Sequence, residues 1–382
     1  MLIIALFAFY VRGAVAEEVA LPWDELSFES SDLAAPAFKQ LMQEVYAPFG
    51  GWESFIEVER EGVRIVKGED GKTIFVPFSV GPTKSRPVLE LDGMRIVLDP
   101  GHIGGEWAEL EERSFSIEGR GPVKEGELVL ATALRMKSRL ESLGADVFLT
   151  RENSKPVTSS RLDDFLVEAT GILIERDDVS VADFEEESLA LAARLFYRTA
   201  EIKARADLVN NEIKPDLAIA LHINAVSWED PDNPALSDVD NGHILVNGGY
   251  LPSELDELDH RFYLLNRLSK GYHDVEIPLA ETIAEVMVEY TGLEPYKYGG
   301  NNAKLVQGSE YVWARNLLAN RLFDCPVVFM EPWIANSKQV FEWALLGDYD
   351  GTKLVNGVEK ESLPVSYSNF VVEGLVRYCE GR

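Results

Sequence analysis

Pro215-Asp216-Leu217-Ala218-Ile219-Ala220-Leu221-His222-Ile223-Asn224 is the stretch on which the fold turns. Residues 217–223 are apolar at every position but the histidine, and a strand apolar on both faces belongs to a sheet covered on both sides. Upstream, residues 184–211 are rich in Ala, Leu, Glu and Arg with helical spacing. Before them, residues 147–150 read as a strand and residues 127–143 as a helix stopped by Gly144. Residues 95–98 form a short apolar strand ending at Asp99-Pro100-Gly101. Downstream, 244–246 is a strand, 281–290 a helix, 327–330 a buried strand and 369–379 a terminal helix. Strands alternating with helices predict an α/β fold, a mostly parallel central sheet with helices on both faces. Ahead of it, residues 55–58, 63–66 and 73–77 alternate in polarity. The turn Glu69-Asp70-Gly71-Lys72 suits a hairpin, so a small β-rich N-terminal region is expected.

Composition narrows the function. Of 382 residues, 36 are Lys or Arg and 65 are Asp or Glu, a net charge of −29. Affinity for nucleic-acid phosphates or anionic lipid needs clustered cations, so both partners are disfavoured. Recurring apolar residues exclude disorder, and two cysteines exclude a disulfide-stapled scaffold. Cys325 and Cys379 read as buried free thiols. At the N-terminus, residues 2–11 are apolar, too short to span a bilayer, and Ala14-Val15-Ala16 supplies small residues before Glu17. No Lys or Arg precedes the apolar run. The expectation is a signal peptide over residues 1–16, export to the periplasm or cell envelope, and no stable membrane insertion.

In α/β sheets, ligands bind beyond the carboxyl ends of the strands. Three polar residues stand there: His102 past the strand 95–98, His222 near the end of 217–223, and Glu331 after 327–330. Burying such groups costs free energy unless they are paired, hydrogen-bonded or metal-bound. Zinc accounts for them economically, because catalytic zinc takes three ligands from His, Glu or Asp and keeps a fourth position open. A further carboxylate would serve as general base. His243 is a candidate to line the same cleft, His260 lies among surface charges, and His273 reads as a loop residue.

Met94 to Gly105, MRIVLDPGHIGG, resembles the opening of the zinc-dependent N-acetylmuramoyl-L-alanine amidases of the amidase 3 family of peptidoglycan hydrolases. The similarity continues in order. Glu125 precedes the first helix, Leu149-Thr150-Arg151 closes the next strand, and Arg205, Asn210 and residues 215–224 look like the third block. Residues 326–336, with Glu331 and Asn336, resemble the closing strand. The resemblance implies that His102, Glu125 and His222 bind Zn2+ and that Glu331 is the catalytic carboxylate. Glu127 competes with Glu125, which keeps the better distance to Leu128 and Leu130. Asp99 is expected to form the turn or to support a ligand, and Asn224 and Asn336 to be structural. The implied reaction is hydrolysis of the amide between N-acetylmuramic acid and the L-alanine of the stem peptide. Peptidoglycan is the expected partner, with room for a protein activator.

The chain departs from the family pattern in length. Residues 1–16 would be the signal peptide, 17–90 the β-rich region and 91–382 the zinc amidase catalytic domain, with insertions near 152–200 and 226–275. One insertion is a candidate rim or lid of the cleft. Ile103 stands where the family has glycine. A charge of −29 does not steer an anionic polymer, so binding must rest on local pockets.

Overall fold

Alternation of buried and exposed residues builds a small antiparallel sheet first: β1 (Ile56–Val58), β2 (Gly62–Val66) and β3 (Thr73–Pro77), paired in that order. The structure, a computed structural model, describes residues 21–28, 33–68, 70–79, 90–176, 180 and 182–381. The expected signal peptide (1–16) and the proline-bounded stretch 82–87 lie outside the described residues. The small sheet and the preceding helix Ala35–Leu41 share a core with the rest of the chain, through Phe38, Ile56, Val63 and Ile65.

The remaining strands among the described residues are β4 (Arg95–Pro100), β5 (Ser114–Ile117), β6 (Arg120–Lys124), β7 (Asp146–Leu149), β8 (Leu217–Leu221), β9 (Asn241–Val246), β10 (Glu294–Pro295), β11 (Lys304–Leu305), β12 (Val312–Ala314), β13 (Val327–Glu331) and the hairpin β14 (Lys353–Val355) and β15 (Val358–Lys360). The central sheet has the order β11-β12-β9-β13-β8-β4-β7, and β10 also pairs with β9. β7, β4, β8 and β13 are parallel to one another, whereas β9 runs antiparallel to β13. The expected mostly parallel sheet is therefore present, with one reversal at the edge between β12 and β11 and another between β13 and β9. The latter brings the start of β9 to the edge where β4, β8 and β13 end.

Parity along the strands divides the core. Ile96, Leu98, Leu217, Ile219, Leu221, Val328 and Met330 face the helices Glu125–Ser142, His273–Thr291 and Leu363–Cys379. Val97, Ala218 and Val327 face Val209 and Ile213 on the other side, and Ala220 and Phe329 lie nearby. In β8 the large residues take one face and alanines the other. A one-residue slip would exchange them and lose burial worth about 1.5–3 kcal/mol per large side chain. The alanines let the second helical layer approach closely.

That layer is the expected helix 184–211. It runs as Phe184–Arg194 and Glu201–Asp207, joined and followed by π-helical turns at Leu195–Ala200 and Leu208–Ile213. Each wide turn shifts the facing residues by one position, which 3.6-residue periodicity does not foresee. The helix expected at 281–290 begins earlier, at His273, and continues through Pro278. The hairpin β5–β6 and the strands β10 to β12 are too short to show periodicity.

Candidate metal centre and active site

The end of β4 sets the first ligand position. His102 has φ of 57°, a left-handed conformation that a non-glycine residue holds only when its surroundings fix it. Two buried arginines supply that fixing. Arg205 donates from Nη1 to Pro100 O at 2.7 Å and from Nη2 to His102 O at 2.7 Å. Arg151 donates from Nε to Pro100 O at 3.0 Å and from Nη2 to Gly101 O at 2.9 Å and Gly126 O at 2.7 Å. On the far side of the turn, Glu111, 2% exposed, accepts from Ile103 N at 2.9 Å and Gly104 N at 3.1 Å. Its Oε1 lies 3.7 Å from His102 Nδ1. Asp99 carries no ligand role here. Its Oδ1 accepts from Thr150 Oγ1 at 2.5 Å and from Arg205 Nη1 at 3.0 Å.

Glu125 is the first residue of its helix, and Gly126 behind it packs against the backbone of Gly104. A Cβ at Gly126 would lie 2.7 Å from Gly104 N. This close approach delivers the Glu125 carboxylate to the histidines: Oε2 is 3.2 Å from His102 Nε2, and Oε1 is 3.1 Å from His222 Nδ1 and accepts from Ile223 N at 3.1 Å. The two imidazoles stand edge to face with centroids 4.9 Å apart. His222 also stacks on Phe329 at 4.2 Å. Glu127, the competing carboxylate, faces solvent beside Lys124.

Electrostatics tie the three groups together. Burial opposes a charge on Glu125, yet His102 and His222 override it and hold the carboxyl well below its usual range. Burial likewise opposes protonation of His102, but Glu125 and Glu111 outweigh it and hold the imidazole above its usual value. Burial and the field of His102 push His222 down, against the pull of Glu125. One donor atom from each of His102, Glu125 and His222 lies within 4.8 Å of the others. Two imidazoles and a carboxylate are a donor set suited to zinc. The place already attracts a cation, since Arg113 Nε approaches His102 Nε2 at 3.3 Å and Glu125 Oε2 at 3.5 Å. The residues fit a metal ion.

Glu331 ends β13 on the neighbouring strand, one residue after Met330, whose carbonyl accepts from His222 N at 3.0 Å. Burial pushes its carboxyl up to about 8, the charge of Glu125 adds to this, and Arg315 opposes it. A carboxyl so poised exchanges protons near neutrality. Opposite it in the antiparallel register stands His243.

Residues 96–350 match the family profile of the N-acetylmuramoyl-L-alanine amidases, the amidase 3 family. The chain belongs to this family. The amidase is thus a peptidoglycan hydrolase. Solved structures similar to it include the Ami1 amidase of Mycobacterium smegmatis, at 14% identity over 77% of this chain and 100% of that one, with a TM-score of 0.42. The CwlD amidase of Clostridioides difficile, solved with the GerS lipoprotein, shares 14% identity over 76% of this chain and 100% of that chain, with a TM-score of 0.40. The catalytic domain of CwlV from Bacillus (Paenibacillus) polymyxa shares 13% over 75% and 98%, with a TM-score of 0.39. No curated protein matches in sequence.

Other polar residues of the amidase support rather than form the centre. Asn336 exchanges two hydrogen bonds with the Val226 backbone, and Asn210 links Leu322 O to Asp324 N, so both brace loops. His243 is buried and its pKa falls to about 3. Its Nε2 meets Tyr298 Oη at 2.8 Å, which in turn accepts from Arg315 Nη1 at 3.2 Å. His260, read as a surface residue, is partly buried against Asn316, and His273 begins a helix beside Tyr46 instead of lying in a loop. Sequence reasoning missed Glu111, which sits in an acidic run that looks solvated, and Arg113. Ile103 has a packing role in this chain. Ile103 is fully buried with Ala193, Phe196 and Tyr197 of the inserted helix.

Gly101 makes a direct prediction. A Cβ there would stand 2.2 Å from His222 Cε1 and 2.5 Å from Nδ1. Gly101→Ala must turn the imidazole away from Glu125, so metal affinity is expected to fall about 10–100-fold, the scale of disturbing a ligand's support. Competition with a fluorescent chelator measures it, and unchanged affinity would mean that His222 is not a ligand.

Proposed function

We propose that this amidase is zinc-dependent, with His102 Nε2, a Glu125 oxygen and His222 Nδ1 holding the ion and Glu331 carrying protons. The observation that supports this reading best is the convergence of the three donor atoms within 4.8 Å. Bound zinc supplies a Lewis acid that acidifies water and polarises the amide carbonyl. The protein does the rest. Glu111 and the two arginines fix the His102 turn, and Glu125 orients both imidazoles. A Glu331 oxygen accepts the proton of the attacking water and returns it to the nitrogen of L-alanine as the carbon–nitrogen bond breaks. The glycan then keeps the lactyl carboxylate and the stem peptide leaves with a free amine.

We also assign residues 91–382 to the catalytic domain and residues 1–16 to an export signal, which suits a peptidoglycan substrate outside the cytoplasm. Among the described residues no helix is long and apolar enough to cross a membrane. The test is elemental analysis with activity on labelled sacculi. Wild type should carry about one zinc per chain and lose turnover to a chelator, and His222→Ala should lose both metal and turnover. Mass spectrometry should find stem peptides with free L-alanine amines. A cut elsewhere in the stem would overturn the assignment to the muramoyl amide.

A further inference from the structure

A cavity of about 170 Å³ opens on His102 and His222, and its walls differ in character. One wall is apolar, with Leu317 and Phe329. The other carries Arg113, from the loop after the His102 turn, with Tyr197 and Arg198 from the inserted helix. Both guanidinium groups keep solvent access, Arg113 at 40% and Arg198 at 51% side-chain exposure. They meet around Glu112: Arg113 Nη1 donates to Glu112 O at 3.0 Å, and Arg198 Nη2 lies 3.9 Å from Glu112 Oε2. The Glu112 side chain is 65% exposed and holds Arg198 only loosely, so an incoming carboxylate displaces it at little cost. Glu111 does not compete, because its oxygens are engaged by the amides of Ile103 and Gly104. A cation held by His102 Nε2 would take the lone pair that now accepts from Arg113 and would leave that guanidinium to another acceptor.

In a chain of net charge −29, two accessible arginines lining one cavity, each held by an acidic neighbour no closer than 3.5 Å, are a place where an anionic group can bind. Around the scissile amide, the muramoyl side is neutral, and the negative charges of the substrate lie in the stem peptide. The nearest is the α-carboxylate of the γ-linked D-glutamate that follows L-alanine, which is free in some walls and amidated in others. A residue of extended chain spans about 3.3–3.6 Å, so this group lies within about two residue lengths of the bond cut. Guanidinium forks bind carboxylates by paired, charge-assisted hydrogen bonds and lose the charge term with a carboxamide. We propose that Arg113 and Arg198 form a subsite for that carboxylate, so the enzyme prefers stems whose second residue is D-glutamate over stems carrying D-isoglutamine. The proposal rests on the amidase reading given above.

The test compares two muropeptides, MurNAc-L-Ala-γ-D-Glu-L-Lys and its D-isoglutamine counterpart, on the zinc-loaded full chain. Wild type is expected to favour the acid by about 10-fold in kcat/KM, mostly through KM, at the low end for a partly exposed charged hydrogen bond. Arg198→Ala should bring the ratio below about 3, and Arg198→Lys should restore part of it. A second arm measures binding of the two released tripeptides to the zinc-loaded protein by calorimetry, where the acid should bind more tightly and lose that advantage in Arg198→Ala. Equal cleavage and equal binding of the two stems, or a preference that survives both Arg113→Ala and Arg198→Ala, overturns the subsite. If neither muropeptide is cut, the amidase reading fails on its own, and the binding arm still decides the subsite.

Discussion

Glu331→Gln is expected to lower kcat about 10³-fold, within the range for removing a positioned acid–base group, while the protein keeps its metal. The substitution preserves shape and removes only the capacity to take and return a proton. It also removes a buried ionisable group whose charged form burial and the neighbouring Glu125 both oppose. The variant should therefore be at least as stable as wild type. Turnover of a muropeptide with elemental analysis on the same sample checks both halves. Loss of zinc along with turnover would make Glu331 a ligand, and retained turnover would remove it from the reaction. His222→Ala gives the opposite pattern, losing metal first, so the pair separates binding from chemistry.

The largest effect on stability is expected at Arg205. Its side chain, 4% exposed, bridges Asp99 and Glu201, at 3.0 and 2.9 Å, and these are 4% and 2% exposed. It also satisfies the carbonyls of Pro100 and His102. Arg205→Met leaves two buried carboxylates without their cation and frees the His102 turn. Breaking a buried pair in this way costs about 3–5 kcal/mol. The surface pair Lys338–Asp238, with side chains 57% and 83% exposed, is the internal comparison, and Lys338→Met should cost about 1 kcal/mol or less. Denaturant unfolding of both variants measures the difference. A cost below about 1 kcal/mol for Arg205→Met would mean that its bonds do not hold the turn.

The parts legible in the sequence were those whose signal is local. β8 declares itself by unbroken apolar character, and His102, His222 and Glu331 stand out because each follows an apolar run. Glu125 was less visible. A glutamate opening a helix is favoured by the helix dipole alone, so only the resemblance separated it from Glu127. Glu111 and Arg113 were not legible at all, since their partners are backbone amides and rings brought near by a turn. The antiparallel passage of β9 beside β13, which sets His243 opposite Glu331, was likewise hidden, because strand patterns carry no direction.

One helical stretch carries Phe196 against Ile103, Arg198 at the cleft, and Glu201 and Arg205 beneath the ligand turn. This stretch is thus packed into the His102 turn rather than hung on the surface. Removing Phe196 and its neighbours would uncover Ile103, which packs on them beside the turn that Arg205 holds. The same stretch that lines the cleft with Arg198 therefore also sets the backbone from which the His102 imidazole projects.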